Sequence, residues 1–247
     1  MPGARVSQLV FAALLVAAGI AGLVYNALVA VWQPEVADVP ARDVLVYACN
    51  AVSILAGAGL LLRRTAGNAA RGLLAVTVLW WLAFKGRRLV TAPDAFLSWD
   101  TAAETLVLVA AACVLVAQLA VAPHRQRAVA RLGRGLYGLA LVPLGIAHLL
   151  YVEQTASLVP SYLPEPTAWA YATGAAFLAA AAAILTGVAG RVAAVLSAVQ
   201  LGGFTALVWV PIVAELGRSG ADAWNEFGIS AVLTAAAWVV ADSYRPR

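Results

Sequence analysis

"DTAAETLVLVAAACVLVAQLAVA", residues 100–122, opens with two acids four positions apart and then runs from Thr105 to Ala122 without a charge. That uncharged length approaches the ~20 residues a helix needs to cross a bilayer. A strand of this length would be abnormal, and an alanine-rich run favours helix. Comparable runs recur along the chain between charged or proline-rich breaks, at about 7–31, 43–62, 72–90, 100–122, 135–152, 167–187, 191–213 and 223–242. The third is the least regular, because Lys85, Arg87 and Arg88 occupy its last part. The expected fold is all-α: a polytopic membrane protein of eight transmembrane helices.

Composition agrees. Of the 247 residues 63% are hydrophobic and 11% charged, and the mean hydropathy is +0.88. A soluble domain carries roughly 25% charged residues, so this chain cannot cover itself in water. The first run lacks a small-residue cleavage site followed by a soluble domain and reads as a retained helix. A net charge of +4 does not make a nucleic-acid binder, since the arginines sit at helix ends and form no basic stripe. Lys85 is the one lysine, which with the abundant alanine reads as the coding bias of a GC-rich bacterial genome. Cys49 and Cys113 lack CxxC spacing and lie in apolar runs, as small buried hydrophobes do. The expected location is the bacterial plasma membrane, spanned many times.

Charge also orients the spans. One set of connections carries Arg5, Arg63, Arg64, Arg71, Arg125, Arg127, Arg131, Arg134, Arg191, Arg245 and Arg247. The opposite end has Arg42, Lys85, Arg87, Arg88 and Arg218. Of the 12 acids only Asp242 lies near the arginine-rich side. Both termini are therefore expected in the cytoplasm.

The chain repeats its plan. Residues 39–62 correspond to 165–187, with Tyr47 matching Tyr171, and "NAARGLLAV" (68–76) corresponds to "VAGRVAAVL" (188–196). "WDTAAETL" and "ADAWNEFG" both contain D-x-x-x-E, and Asp100 and Asp222 are 122 positions apart, as are Glu104 and Glu226. On a helix each pair shares one face, with the glutamate about 6 Å deeper. An even number of spans per half inserts both halves the same way up, giving two repeated four-helix bundles related by an axis along the membrane normal. The expected organisation is 1–124, a basic cytoplasmic linker at 125–134, and 135–247.

"GIAHLLYVEQTASLVPSYLPEPTAWAYATGAAFLAAAAAILTG" (145–187), followed by "AGRVAAVLSAV" (189–199), resembles the DoxX-like membrane proteins in a G-x-x-H start, a VP-x-x-LP stretch and a small-residue helix ending before an arginine. Gly145, His148, Val159, Pro160, Leu163, Pro164, Trp169, Gly174 and Arg191 carry the resemblance. It covers 135–242 directly and reaches 7–122 through the repeat, where Pro34 and Pro40 remain and Tyr25 stands near the place of the histidine. Relatives often have a histidine where Val210 stands. The resemblance implies four-helix units, and for some members a role as subunits of quinone-linked complexes such as thiosulfate:quinone oxidoreductase.

Ionisable residues inside a span are expensive and mark function by default. Glu104 and Glu226, with Asp100 and Asp222, suggest a polar cavity near the outer leaflet, with Lys85, Arg87, Arg88 and Arg218 as partners. Structural ion pairs are the plain alternative. His148, near the end of the fifth run and followed by Glu153, has a side chain suited to a proton relay or a quinone carbonyl, or to a bond with a backbone carbonyl. Trp80, Trp81, Trp209 and Trp224 are candidate pocket linings, although tryptophan also belongs at membrane interfaces. His124 is a membrane thickness away from His148, and no metal-binding spacing occurs. Hydrolase and nucleotide-binding motifs are absent.

Three functions remain open. The first is an accessory membrane protein whose outer-side polar cavity binds a quinone, isoprenoid, lipid or other amphipathic molecule. The second is a quinone-linked oxidoreductase subunit working with a redox partner. The third is a proton-coupled transporter. No cofactor besides quinone is suggested, and no nucleic acid.

Overall fold

The computed structural model describes residues 2–28, 42–120, 122–217 and 220–245. Its helices are α1 (Pro2–Val24), α2 (Arg42–Leu61), α3 (Ala66–Trp80), α4 (Arg87–Thr91), α5 (Phe96–Leu119), α6 (Pro123–Leu150), α7 (Val152–Ser157), α8 (Pro166–Thr186), α9 (Gly190–Gly203), α10 (Val210–Leu216) and α11 (Ala221–Asp242). A π-helical segment, Trp81–Gly86, joins α3 to α4, and a second, Phe204–Trp209, joins α9 to α10. No strand occurs among the described residues.

Among the described residues eight helices are long and apolar enough to cross a membrane: Val6–Val24, Arg42–Leu61, Ala66–Thr91, Phe96–Leu119, His124–Leu150, Pro166–Thr186, Gly190–Leu216 and Asp222–Asp242. The protein is thus an all-helical, multi-pass membrane protein. Several boundaries differ from expectation, and the first run, read to residue 31, leaves its helix at Val24. Residues 125–134, read as a linker, form the opening turns of α6. Hydropathy stops where arginines begin, but arginine, alanine and leucine are good helix formers, and Pro123 starts the helix without wasting a donor. Helix α5 begins at Phe96, one turn before Asp100, whereas α11 begins at Ala221, directly before Asp222. Pro34 and Pro40 lie outside the described residues.

Helices α5 and α11 are the centre of the bundle and pack against each other. Every residue of α5 from Val107 to Ala117 is buried. A helix that is apolar all round, with small alanines between branched residues, is suited to such a position. Around this pair, α1 packs on α2 and α6 on α8; α2 on α3 and α8 on α9; α3 on α5 and α9 on α11; α5 on α6 and α11 on α1. The outer helices turn large apolar side chains outward, among them Leu55, Leu79, Leu82, Leu185, Leu196 and Val199.

Lipid is as apolar as leucine, so close packing and polar contacts must hold such helices together. A Cβ on Gly145 would lie 2.9 Å from the Gly174 carbonyl oxygen, and one on Gly174 would lie 3.0 Å from that of Gly145. Glycine at both places lets α6 and α8 touch backbone to backbone. Tyr137, buried on α6, reaches the Ser197 hydroxyl on α9 at 3.0 Å. Arg134 donates through Nε to Ser243 Oγ at 2.8 Å and through a second nitrogen to the Ser243 carbonyl, with its guanidinium over the Tyr244 ring. The chain end is thereby fastened to α6.

Candidate functional site

The two π-helical segments each insert an extra residue into a long helix. Such insertions rotate side chains off their regular faces and recur at functional sites. They occupy matching places, in the third and seventh spans.

In the first half the segment turns toward α5. Trp81 Nε1 donates to the Ala102 carbonyl at 2.9 Å, which sets the segment against the second turn of α5. Lys85, in the same segment, is 4% exposed. Asp100, in that turn of α5, has its Oδ1 buried with no hydrogen-bond partner, and Glu104 is half-buried one turn deeper. None of Lys85, Arg88 and Glu104 is without a partner, while Arg87 is exposed. Trp80 is half-buried and its ring lies 5.5 Å from that of Phe84.

In the second half the chemistry is different. Phe204 opens the segment and stacks on His148, with ring centroids 5.6 Å apart and planes 20° apart. Phe177 meets both edge-on, at 5.4 Å from His148 and 6.1 Å from Phe204. His148 Nδ1 lies 2.8 Å from the Leu144 carbonyl. A carbonyl only accepts, so Nδ1 carries the proton and a neutral ring presents Nε2 as an acceptor. Next to Phe204, Thr205 joins Ser230 at 2.8 Å and Thr234 at 3.0 Å, tying the segment to α11 through hydroxyls. Trp209 is half-buried.

The matched acid pairs do not share surroundings. Asp222 and Glu226 are exposed on α11, where Glu104 is half-buried on α5. The extra turn at the start of α5 accounts for part of this, placing Asp100 deeper along its helix than Asp222. Trp224 is exposed, and its Nε1 donates to the Gly217 carbonyl at 2.8 Å. Trp99 does the same to the Pro93 carbonyl at 2.9 Å. Both tryptophans fasten the loop that precedes their helix, α5 for Trp99 and α11 for Trp224. Glu153 is exposed on the short α7. Arg218 lies outside the described residues.

Sequence reasoning missed Phe177, Phe204, Thr205, Ser230 and Thr234. Ser230 and Thr234 were open to detection, since two hydroxyls four apart in an apolar span share one helix face. No group of three His, Cys, Asp or Glu suited to a metal occurs among the described residues, and Cys49 and Cys113 are free, buried thiols. At the opposite end of the bundle, the start of α1 and the end of α2 enclose a shallow cleft lined by Gln8, Leu9, Leu60, Leu61 and Arg63. Compared with family models, curated proteins and solved structures, the chain has no match.

Proposed function

We propose that this is a protein of the bacterial plasma membrane, built from two DoxX-like four-helix units with both termini in the cytoplasm. At its acid-rich outer end it binds a lipid-soluble or amphipathic small molecule. Three parallels support the two-unit reading. Each helix contact in the first half has a counterpart in the second, each half carries a π-helical segment in its third span, and each has a tryptophan fastening the loop before its fourth. Tyr47 and Tyr171, matched by the repeat, are both exposed.

The observation that carries the binding reading is the buried, unbonded Asp100 Oδ1, on the turn of α5 against which Trp81 holds the segment containing buried Lys85. An orphan carboxylate oxygen is costly, and a ligand hydroxyl or amine would satisfy it. Trp81 and Trp80 supply apolar surface for a ring or chain. Purification with native lipids, followed by mass spectrometry, tests this. A quinone, isoprenoid or lipid should co-purify with the wild type and be depleted in Asp100→Asn. Its absence from the wild type would sink the reading.

A second reading, a quinone-linked redox subunit with a partner protein, is favoured by His148. Its Nε2 acceptor stands beside two phenyl rings, a setting that suits a quinol ring and its hydroxyl. Unchanged quinone reduction in membranes carrying His148→Ala would exclude it. The third reading, proton-coupled transport, draws on the paired π-helical segments as helix interruptions. Proton uptake by loaded vesicles that is insensitive to Asp100→Asn and Glu104→Gln would remove it.

A further inference from the structure

We propose that the cleft between the start of α1 and the end of α2 binds an anionic phospholipid, with the headgroup phosphate at Arg63 and an acyl chain along Leu9 and Leu61. This site lies at the arginine-rich end of the bundle and is independent of the outer-end reading.

The first support is a cation that has no partner among the described residues. Carbonyls at the end of a helix attract basic side chains, and Arg71 serves that purpose on the Ala120 carbonyl. At the end of α2 the carbonyls are already served. Gln8 Nε2 donates to Leu60 O at 2.7 Å, Thr65 Oγ1 to Gly59 O at 2.8 Å, and the Thr65 and Ala66 amides to Leu62 O at 3.1 and 2.9 Å. Arg63 and Arg64 are exposed and make no hydrogen bond or ion pair among the described residues. Asp242 is the acid at this end, and Arg245 holds it at 3.1 Å. The cleft therefore favours an anion.

The second support is the wall beneath the charge. The cleft holds about 260 Å³, less than a pocket for a whole drug-sized molecule and appropriate to part of a lipid. Leu60 forms its buried floor, and Leu9 and Leu61, at 42% and 41% exposed, continue it onto the lipid-facing flank. A free phosphate would leave these leucines unused. A phospholipid satisfies guanidinium and leucines together.

The test uses the full chain in detergent micelles, titrated with phosphatidylglycerol or phosphatidylcholine and read by native mass spectrometry. Phosphatidylglycerol should bind saturably and phosphatidylcholine should not. Arg63→Gln should weaken phosphatidylglycerol binding about fivefold, the scale of one basic residue beside an anionic lipid surface. Leu9→Trp, which fills the furrow, should weaken it too. Arg131→Gln, an exposed arginine on α6 outside the cleft, should leave it unchanged. Equal binding of the two lipids overturns the proposal. So does an Arg131→Gln effect as large as that of Arg63→Gln, which would mean diffuse surface charge. Full displacement of phosphatidylglycerol by millimolar inorganic phosphate would reassign the cleft to a free anion. Should Arg63→Gln lose its helical circular dichroism, Leu9→Trp and the lipid comparison on the wild type decide.

Discussion

The segments Trp81–Gly86 and Phe204–Trp209 are both π-helical and are furnished in opposite ways. The first buries an ammonium and is held by a tryptophan to the turn of α5 that carries Asp100; the second stacks a phenyl ring on an imidazole and joins three hydroxyls. A backbone irregularity shared between halves belongs to the architecture, and what differs between them belongs to the function. The ionic segment is the expensive one, because charge in a membrane interior must be compensated. Hydroxyls are cheap there and make modest glue.

The largest effect should come from Lys85→Met. Lys85 is buried and not without a partner, and breaking a buried charged contact by removing one side costs about 3–5 kcal/mol. Unfolding in mixed micelles, followed by circular dichroism, should show it, and a loss below about 1 kcal/mol would mean that Lys85 is hydrated and the ionic contrast false. Next is Gly174→Leu, which inserts a side chain where α6 and α8 meet by their backbones. Overpacking of this kind costs roughly 1–3 kcal/mol. The first half offers a control in Gly57→Leu, whose Cβ would lie 2.6 Å from the Ala12 carbonyl, and comparable losses at the two sites are expected.

Thr205→Val should cost about 0.6–1.5 kcal/mol, the worth of hydroxyl bonds between membrane helices. It keeps the shape and removes the joint to Ser230 and Thr234. No change in unfolding would show that those hydroxyls serve a ligand and not the fold. The smallest effects should be a matched pair, Trp99→Phe and Trp224→Phe, each deleting one bond to a loop carbonyl worth about 0.5–1.5 kcal/mol. Equal losses would sharpen the parallel between halves, and a tenfold difference in unfolding equilibrium would break it.

Much of the architecture was legible because lipid imposes a coarse rule: long apolar runs become helices. That rule found all eight spans and failed at the start of α6, where Arg125, Arg127 and Arg131 hid a continuing helix. The irregularity of the third span was visible through Lys85 and its neighbours. Its cause, a π-helical turn, was not, because the insertion is a matter of backbone bonding that residue type barely encodes. Phe204–Trp209 has no charge to betray the same turn. At the site, D-x-x-x-E drew attention to Asp100 and Glu104, yet the same motif sits exposed at Asp222 and Glu226. Spacing tells which residues share a helix face. It does not tell which neighbour covers that face.

The packing of α1 against α11 has a bearing on how the protein is made. Helix α1 leaves the ribosome before α11, its neighbour in the bundle, and enters the bilayer well before α11 is synthesised. Until α11 follows, the face of α1 that it will cover lies against lipid or an insertion chaperone. A chain stalled before α11 would keep that face open for as long as it survived, a mark open to recognition by a membrane protease.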